Sequence, residues 1–105
     1  MLAYKTYIGS RMDMQHYKNA VMNATIEILD ELFSVGDNVT FEFFAKPHGK
    51  SLEQFDLQIG SGNTIGFDEN VLNYRPGLYY HECYQMTPDS PSEKVLLFYG
   101  VSEVI

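Results

Sequence analysis

The most reactive pair of side chains in this sequence is His81 and Cys83, which lie two residues apart in segment 78–86. The segment is rich in tyrosine and is predicted to be a strand, so its alternate residues share a face. Tyr79, His81 and Cys83 are therefore expected to be neighbours on one face. A cysteine beside a histidine can act as a nucleophile with its base, or can supply two zinc ligands.

The sequence shows no recognisable pattern for the other residues that a zinc site or a cysteine nucleophile would need. Zinc usually takes four ligands, and the other two histidines, His16 and His48, are predicted to lie in a helix and in a turn. A cysteine nucleophile also needs an oxyanion site and an acid that orients the histidine. Because cysteine is commonly buried, the pair is interpreted as structural, and neither a metal nor a cofactor is expected.

Two further segments have the composition of ligand sites. Segment 60–66 is rich in glycine, but its glycine spacing does not match a phosphate-binding loop and no Lys-Ser or Lys-Thr follows it. Its flanks look like strands, so it is predicted to be a hairpin turn.

Segment 46–51 is the one local basic cluster. It could contact an anion, although a solvated turn is the preferred interpretation.

The distribution of charge is the most unusual property of the chain. Fourteen Asp and Glu residues stand against seven Lys and Arg residues, for a net charge of −7. No Lys or Arg occurs in residues 19–45 or 51–74, and these two segments hold nine of the acids. Such a surface is expected to repel nucleic acid and anionic membranes, because phosphate binding depends on clustered Lys and Arg.

A long helix is predicted to position the first group of acids. Ser10 and Asp13 are spaced like a capping pair, apolar residues recur at helical spacing from there to Phe33, and Gly36 suits a C-terminal cap. The apolar positions of this pattern are Met14, Tyr17, Val21, Ala24, Ile28 or Leu29, and Leu32.

Strands are predicted for most of the remaining chain, at residues 2–8, 39–45, 55–59, 64–67, 78–86 and 94–101. The connections are too short to hold crossover helices, which favours an antiparallel sheet. The expected fold is a single α+β domain over residues 1–105. In it, one long helix in the N-terminal half packs on an antiparallel sheet of five or six strands.

The predicted helix would carry acids where its own dipole disfavours them. Glu27, Asp30 and Glu31 would occupy the last two turns, where each exposed negative charge costs about 0.3–1 kcal/mol. No Lys or Arg lies three or four residues away to offset them. These three acids, with Asp37 and Glu42, are predicted to form a patch that binds a basic partner. Two tyrosines, Tyr74 and Tyr79, are predicted to add exposed aromatic contacts to this binding surface.

Composition also indicates the compartment. One cysteine excludes an internal disulfide and favours a reducing environment. The N-terminus lacks the long apolar run of a signal peptide, and no segment resembles a membrane span. The chain is therefore expected to be cytoplasmic.

The preferred hypothesis is a small, acidic, non-enzymatic protein-binding module. It would inhibit a larger partner, such as a toxin or a restriction or CRISPR nuclease, by placing carboxylates where the partner normally binds phosphates. In this view the chain is a nucleic-acid mimic of the immunity-protein or anti-CRISPR type. One alternative is a small enzyme or ligand-binding domain around His81 and Cys83, with Tyr79 and His48 as helpers. A second alternative is an assembly subunit that forms a homo-oligomer through strand 39–44 or 94–101.

Overall fold

The computed structural model describes residues 2–17, 22–29, 36–69, 74–87 and 93–105, and all regular elements in them are strands. The strands are β1 (Leu2–Thr6), β2 (Ser10–Arg11), β3 (Met14–His16), β4 (Met22–Ile28), β5 (Asn38–Phe44), β6 (Ser51–Gly60), β7 (Thr64–Glu69), β8 (Gly77–Met86) and β9 (Lys94–Val104). The described residues form no helix, so the predicted α+β fold with a long helix on the sheet is wrong, and the fold is all-β. Within these residues there is also no helix of the length and apolarity that a membrane span needs.

The helix prediction fails because the described parts of this region follow a period of two. The buried residues are Met12, Met14, His16, Ala24, Ile26 and Ile28. Within each run, the residue between two buried neighbours is exposed or half-exposed. The spacing from Ala24 to Ile28 suits a helix equally well, but Thr25, Ile26 and Ile28 are β-branched and favour a strand. Pairing of β4 with β1 and β7 then satisfies its backbone.

The strands form one sheet in the order β1-β4-β7-β6-β5-β8-β9-β2, with β3 also paired to β9. The pairs β1–β4, β2–β9 and β3–β9 are parallel, and the others are antiparallel. Only residues 7–9 connect β1 at one edge to β2 at the other, and they span at most about 14 Å. The edges therefore lie close together, and the sheet curls into a nearly closed barrel. Across the gap, the backbone N–H of Gln15 donates to the hydroxyl of Tyr4 at 3.4 Å.

Aromatic side chains fill the interior of the barrel. Phe41 is fully buried, with its ring centroid 4.9 Å from that of Phe67 and 6.3 Å from that of Phe98. The strand predicted at 39–45 is confirmed as β5, and its Val39, Phe41 and Phe43 are all buried. The predicted hairpin is confirmed as the turn between β6 and β7, in which Gly62 and Asn63 have φ values of 74° and 55°.

A close backbone crossing joins the N-terminal strands to β9. The Met12 N–H donates to the Tyr99 carbonyl at 2.7 Å, and the Val101 N–H donates to Asp13 Oδ1 at 2.9 Å. The Asp13 carboxylate therefore replaces a backbone acceptor between β2 and β3, and is not a helix cap. A Cβ on Gly100 would collide with the Met12 carbonyl oxygen and would lie 2.7 Å from Asp13 Oδ1. Only glycine fits this position without a backbone shift.

Replacing Gly100 with alanine should therefore destabilise the fold. We expect G100A to lower the free energy of unfolding by about 2 kcal/mol, because the new methyl group meets backbone that is held by hydrogen bonds. Urea unfolding followed by circular dichroism measures this change. Gly66→Ala is the matched control, since nothing lies within 4 Å of a Cβ at that strand position. If the two variants were equally stable, the close contact between Gly100 and the Met12–Asp13 backbone would be contradicted.

Candidate functional site

The structure places His81 and Cys83 on the inward face of β8, as the alternation predicted. They are 1% and 0% exposed. Burial raises the pKa of the Cys83 thiol to about 12, so the thiol is protonated at neutral pH. A histidine that activates a cysteine would instead lower this pKa. The thiol therefore lacks the lowered pKa that is typical of an activated nucleophile.

His81 is instead part of a buried polar chain with His16 and Ser102. Its Nε2 lies 2.8 Å from the Met12 carbonyl oxygen, and its Nδ1 lies 2.6 Å from Ser102 Oγ. Ser102 Oγ is also 2.9 Å from His16 Nε2. The chain links β3, β8 and β9 at a point where all three side chains are at most 3% exposed.

The direction of each hydrogen bond follows from the chemistry of the neutral groups. A carbonyl oxygen only accepts, so His81 Nε2 carries the hydrogen and His81 Nδ1 accepts from the Ser102 hydroxyl. Ser102 Oγ then accepts from the N–H of His16 Nε2. His16 Nδ1 is left as a bare acceptor, and no donor among the described residues reaches it.

Burial lowers the pKa of both histidines to about 4, so both are neutral at physiological pH. The nearby His81 also lowers the His16 pKa, because a proton on one ring disfavours a proton on the other. For His81, the bond to the Met12 carbonyl and the Asp13 carboxylate act in the opposite direction, but burial is the larger effect. Among the described residues, no group of three or more His, Cys, Asp or Glu side chains converges as a metal site.

Two members of the predicted acidic patch, Glu27 and Asp37, lie at the same end of the barrel. Glu27 is paired in register with Thr64, and the Asp37 carbonyl accepts from the Ile59 N–H. The two acids thus stand on either side of the turn between β6 and β7, about three strand spacings or 14 Å apart. We call these two acids and the turn 60–64 the acidic end. Asp30 and Glu31 lie outside the described residues.

The helix-dipole argument for the acidic patch does not apply in this fold, although Glu27 and Asp37 still lie at one end of the barrel. Glu27 lies in β4, so no helix dipole opposes its charge, and Lys5 of β1 is its register partner. Among the described residues the ion pairs are Arg11–Asp13 at 3.0 Å and Lys94–Glu82 at 3.4 Å, so Glu27 takes part in neither.

Glu42 belongs to a different part of the surface and is largely buried, with 8% of its area exposed. It lies on the outer side of β5, where Gln54 Nε2 donates to one carboxylate oxygen at 2.8 Å and the Tyr84 hydroxyl donates to the other at 3.2 Å. Burial acts to raise the Glu42 pKa, but hydrogen bonds from Gln54, Ser51 and Tyr84 hold it below its usual value. This carboxylate already has partners within the chain.

Tyr74 and Tyr79, predicted as exposed contacts, are half-buried against Phe43. The ring centroids of the two tyrosines lie 5.4 and 5.0 Å from that of Phe43. The Tyr74 hydroxyl donates to Glu53 Oε1 at 3.0 Å, and the Tyr79 hydroxyl donates to the Arg75 carbonyl at 2.9 Å. Burial, followed by the bond to Glu53, raises the Tyr74 pKa to about 12. Both rings pack against the core while one side remains accessible.

A groove of about 590 Å³ on the outer face of β5, β8 and β9 was not foreseen from the sequence. It is lined by Arg11, Phe44, Pro47, His48, Tyr80, His81, Glu82, Leu96, Tyr99, Gly100 and Val101. Strand register sets Phe44, Tyr80 and Val101 in one row across the three strands. Alternation within β8 and β9 already assigns such residues to outer faces, but only the pairing of the strands brings them together.

Charge is divided between this groove and the rest of the chain. Arg11 lines the groove, Lys46 and Lys50 lie in the adjoining turn, and Lys94 contacts the groove residue Glu82. Asp13 and Glu82 are the acids that pair with these cations. Glu42, Asp56 and Glu103 also belong to this outer surface, so it holds four cations and five acids. The other nine acids and three cations lie elsewhere in the sequence, and most of the net charge of −7 arises there.

The buried histidines predict a loss of stability in mild acid. In the unfolded chain each histidine binds a proton near pH 6.5, whereas the folded pKa is about 4. The stabilisation from the neutral rings is thus complete above pH 6.5 and is lost as the pH falls towards 4. Between these values each histidine should contribute a slope of about 1.4 kcal/mol per pH unit to the free energy of unfolding.

Urea titrations from pH 7.5 to pH 5 measure this slope before most carboxylates titrate. We expect His16→Gln to remove about half of it. His48→Asn, which changes an exposed histidine of the turn after β5, should leave it unchanged. A wild-type stability that stays constant over this range would contradict the buried neutral network.

The thiol of Cys83 should be inert in the native protein. A pKa of about 12 in place of about 8.5 lowers the thiolate fraction by roughly a thousandfold, and burial further restricts access. Alkylation with iodoacetamide at pH 8, followed by mass spectrometry, should show modification only after unfolding in urea. Rapid stoichiometric alkylation of the folded chain would show that Cys83 is activated.

Comparison with protein family models, with curated protein sequences and with solved structures finds no match for this chain. The charges and contacts of the chain itself are the observations that bear on its function.

Proposed function

We propose that this chain is a small acidic protein-binding module that inhibits a larger partner by covering a basic surface. The observation that carries the proposal is the acidic end, where Glu27 and Asp37 flank a projecting turn in a chain of net charge −7. Both side chains are half-exposed. A partner surface rich in Lys and Arg, such as the nucleic-acid site of a defence nuclease or a toxin, is its electrostatic complement.

The charge distribution supports binding at this end and not at the groove. Four of the seven cations lie near the groove, where they offset the acids of that surface and make it less attractive to a basic partner. At the acidic end, carboxylates can take positions that phosphates occupy on a nucleic acid, and the field of the whole chain would accelerate the encounter. The proposal places the protein in the cytoplasm, together with a partner of this kind.

The rival enzyme hypothesis has weaker support in the geometry. Its nucleophile, Cys83, has a raised pKa, and both ring nitrogens of His81 are occupied by Met12 and Ser102. Cys83 does not line the groove, and His81 borders it with only 1% of its area exposed. A non-enzymatic binding role therefore requires fewer unobserved features.

The proposal is tested by neutralising the acidic end. A tagged chain should capture a basic partner from its native host at low salt and release it at high salt. With the purified partner, the variant Glu27→Gln/Asp37→Asn should raise the dissociation constant at least tenfold, a loss of about 1.4 kcal/mol. Titration calorimetry at 0.15 M salt measures this change.

The control removes the same number of charges elsewhere. Glu93→Gln/Glu103→Gln gives the same net charge as the first variant but leaves the acidic end intact. We expect its dissociation constant to stay within about threefold of the wild-type value. Equal weakening by both variants would show that only total charge matters, and unchanged binding of the first variant would remove the acidic end from the interface.

A further inference from the structure

From the groove we infer a second function, self-association: a second copy of this chain docks on the outer face of β5, β6, β8 and β9 to form a symmetric dimer. This inference is independent of the acidic end, because it concerns a different part of the surface. Three features of the face support self-association: an exposed apolar centre, charges of opposite sign on the two sides of that centre, and a geometry that makes the face complementary to itself.

The centre of the face is apolar and open. Phe44, Tyr80 and Val101 form one row across three strands, and Tyr99 is 42% exposed beside them. Leu78, two residues before Tyr80 in β8 and on the same face, is 63% exposed. Contiguous apolar surface of this kind marks interaction sites on soluble domains, where tyrosine is enriched.

On β5 and β6 the charge changes sign from one side of this row to the other. Asp56 of β6 lies on the side of Glu42 and Glu82, and beyond the other side β5 ends in the turn that carries Lys46 and Lys50. At β9 the order is reversed, because Arg11 is in register with Tyr99 and Glu103 lies two residues beyond Val101. Lys94 offsets Glu82 within the chain.

A two-fold axis that lies across the strands at the apolar row superposes opposite charges. Rotation about this axis reverses the strand direction but keeps each strand over its own counterpart. The turn with Lys46 and Lys50 then lies over Asp56 of the second copy, because the turn joins β5 to β6 and Asp56 belongs to β6. In the same way Arg11, in register with Tyr99, lies over the second copy's Glu103, two residues beyond the central row.

The residues on the axis meet their own equivalents, so Tyr80 and Val101 contact Tyr80 and Val101 of the second copy. This is the isologous arrangement that most protein dimers adopt. The face extends over about four strand spacings, or roughly 19 Å. An interface of this size lies near the lower limit for stable complexes, so a dissociation constant in the micromolar range is expected. The repulsion between the two net charges of −7 is largely screened beyond about 8 Å at physiological salt.

Sedimentation equilibrium of the untagged chain tests the inference directly. At 0.15 M salt and up to about 200 μM protein we expect a reversible dimer with twice the 12.0 kDa mass of the chain. A chain that stays monomeric over this concentration range would overturn the dimer proposal, whether or not the proposed inhibitory function is correct.

A charge-swap experiment identifies the face. Lys46→Glu/Lys50→Glu makes the turn anionic, and Asp56→Lys makes the opposite half more cationic. All three positions are exposed, so folding should be retained, as circular dichroism would verify. Each variant alone brings like charges together twice in its homodimer and should dissociate at least tenfold more readily. An equimolar mixture should recover near wild-type affinity as a heterodimer, because both of its contacts then pair opposite charges.

Lys5→Glu is the control, since it reverses an exposed cation on β1, which is not one of the four strands of this face. Its dimer should have the wild-type dissociation constant within about threefold. A wild-type dimer that the turn and Asp56 variants leave intact, or a mixture that stays as weak as its components, would show that a different surface forms the dimer.

Discussion

The close contact between the Met12–Asp13 backbone and Gly100 is the constraint on which the rest of the structure depends. Without a side chain at Gly100, the N-terminal segment approaches β9 closely enough for the Met12 peptide to bond both Tyr99 and His81. Strands β2 and β3 can then both pair with β9, while β1 pairs with β4 at the far edge of the sheet. One short connection thereby brings the two edges together, and a curled sheet becomes a nearly closed barrel.

Closure of the barrel places the two faces of each strand in different environments, one buried and one accessible to solvent. The most reactive side chains of the sequence, His81 and Cys83, fall on the inner face, where burial keeps the histidine neutral and the thiol protonated. The histidine is held by Ser102 and, through it, by His16. These groups satisfy one another and stabilise the interior. Recognition is left to the outer faces and to the turns at the ends of the barrel.

The outer surface presents two regions of different electrostatic character. The acidic end holds Glu27 and Asp37 beside a projecting turn, and the groove lies among most of the chain's cations. In the two proposals, a basic partner binds at the acidic end and a second copy binds at the groove, so the two contacts use different parts of the surface. A dimer formed across the groove would present two acidic ends and would bind an extended or repeated basic surface with greater avidity.

Local sequence signals predicted β1, the strands from β5 onwards, the hairpin turn, and the shared face of His81 and Cys83. These signals are alternation, β-branched and aromatic residues, and turn glycines. They were not sufficient between Ser10 and Ile28, because the spacing from Ala24 to Ile28 fits a helix and a strand equally well. Long-range pairing selects the strand, since β4 pairs with β1 and β7, and β3 pairs with β9, about 20 to 90 residues away. For the same reason the histidine network, the position of Asp37 opposite Glu27 and the groove could not be foreseen. Each depends on the register between distant strands, and alternation within a strand does not encode register.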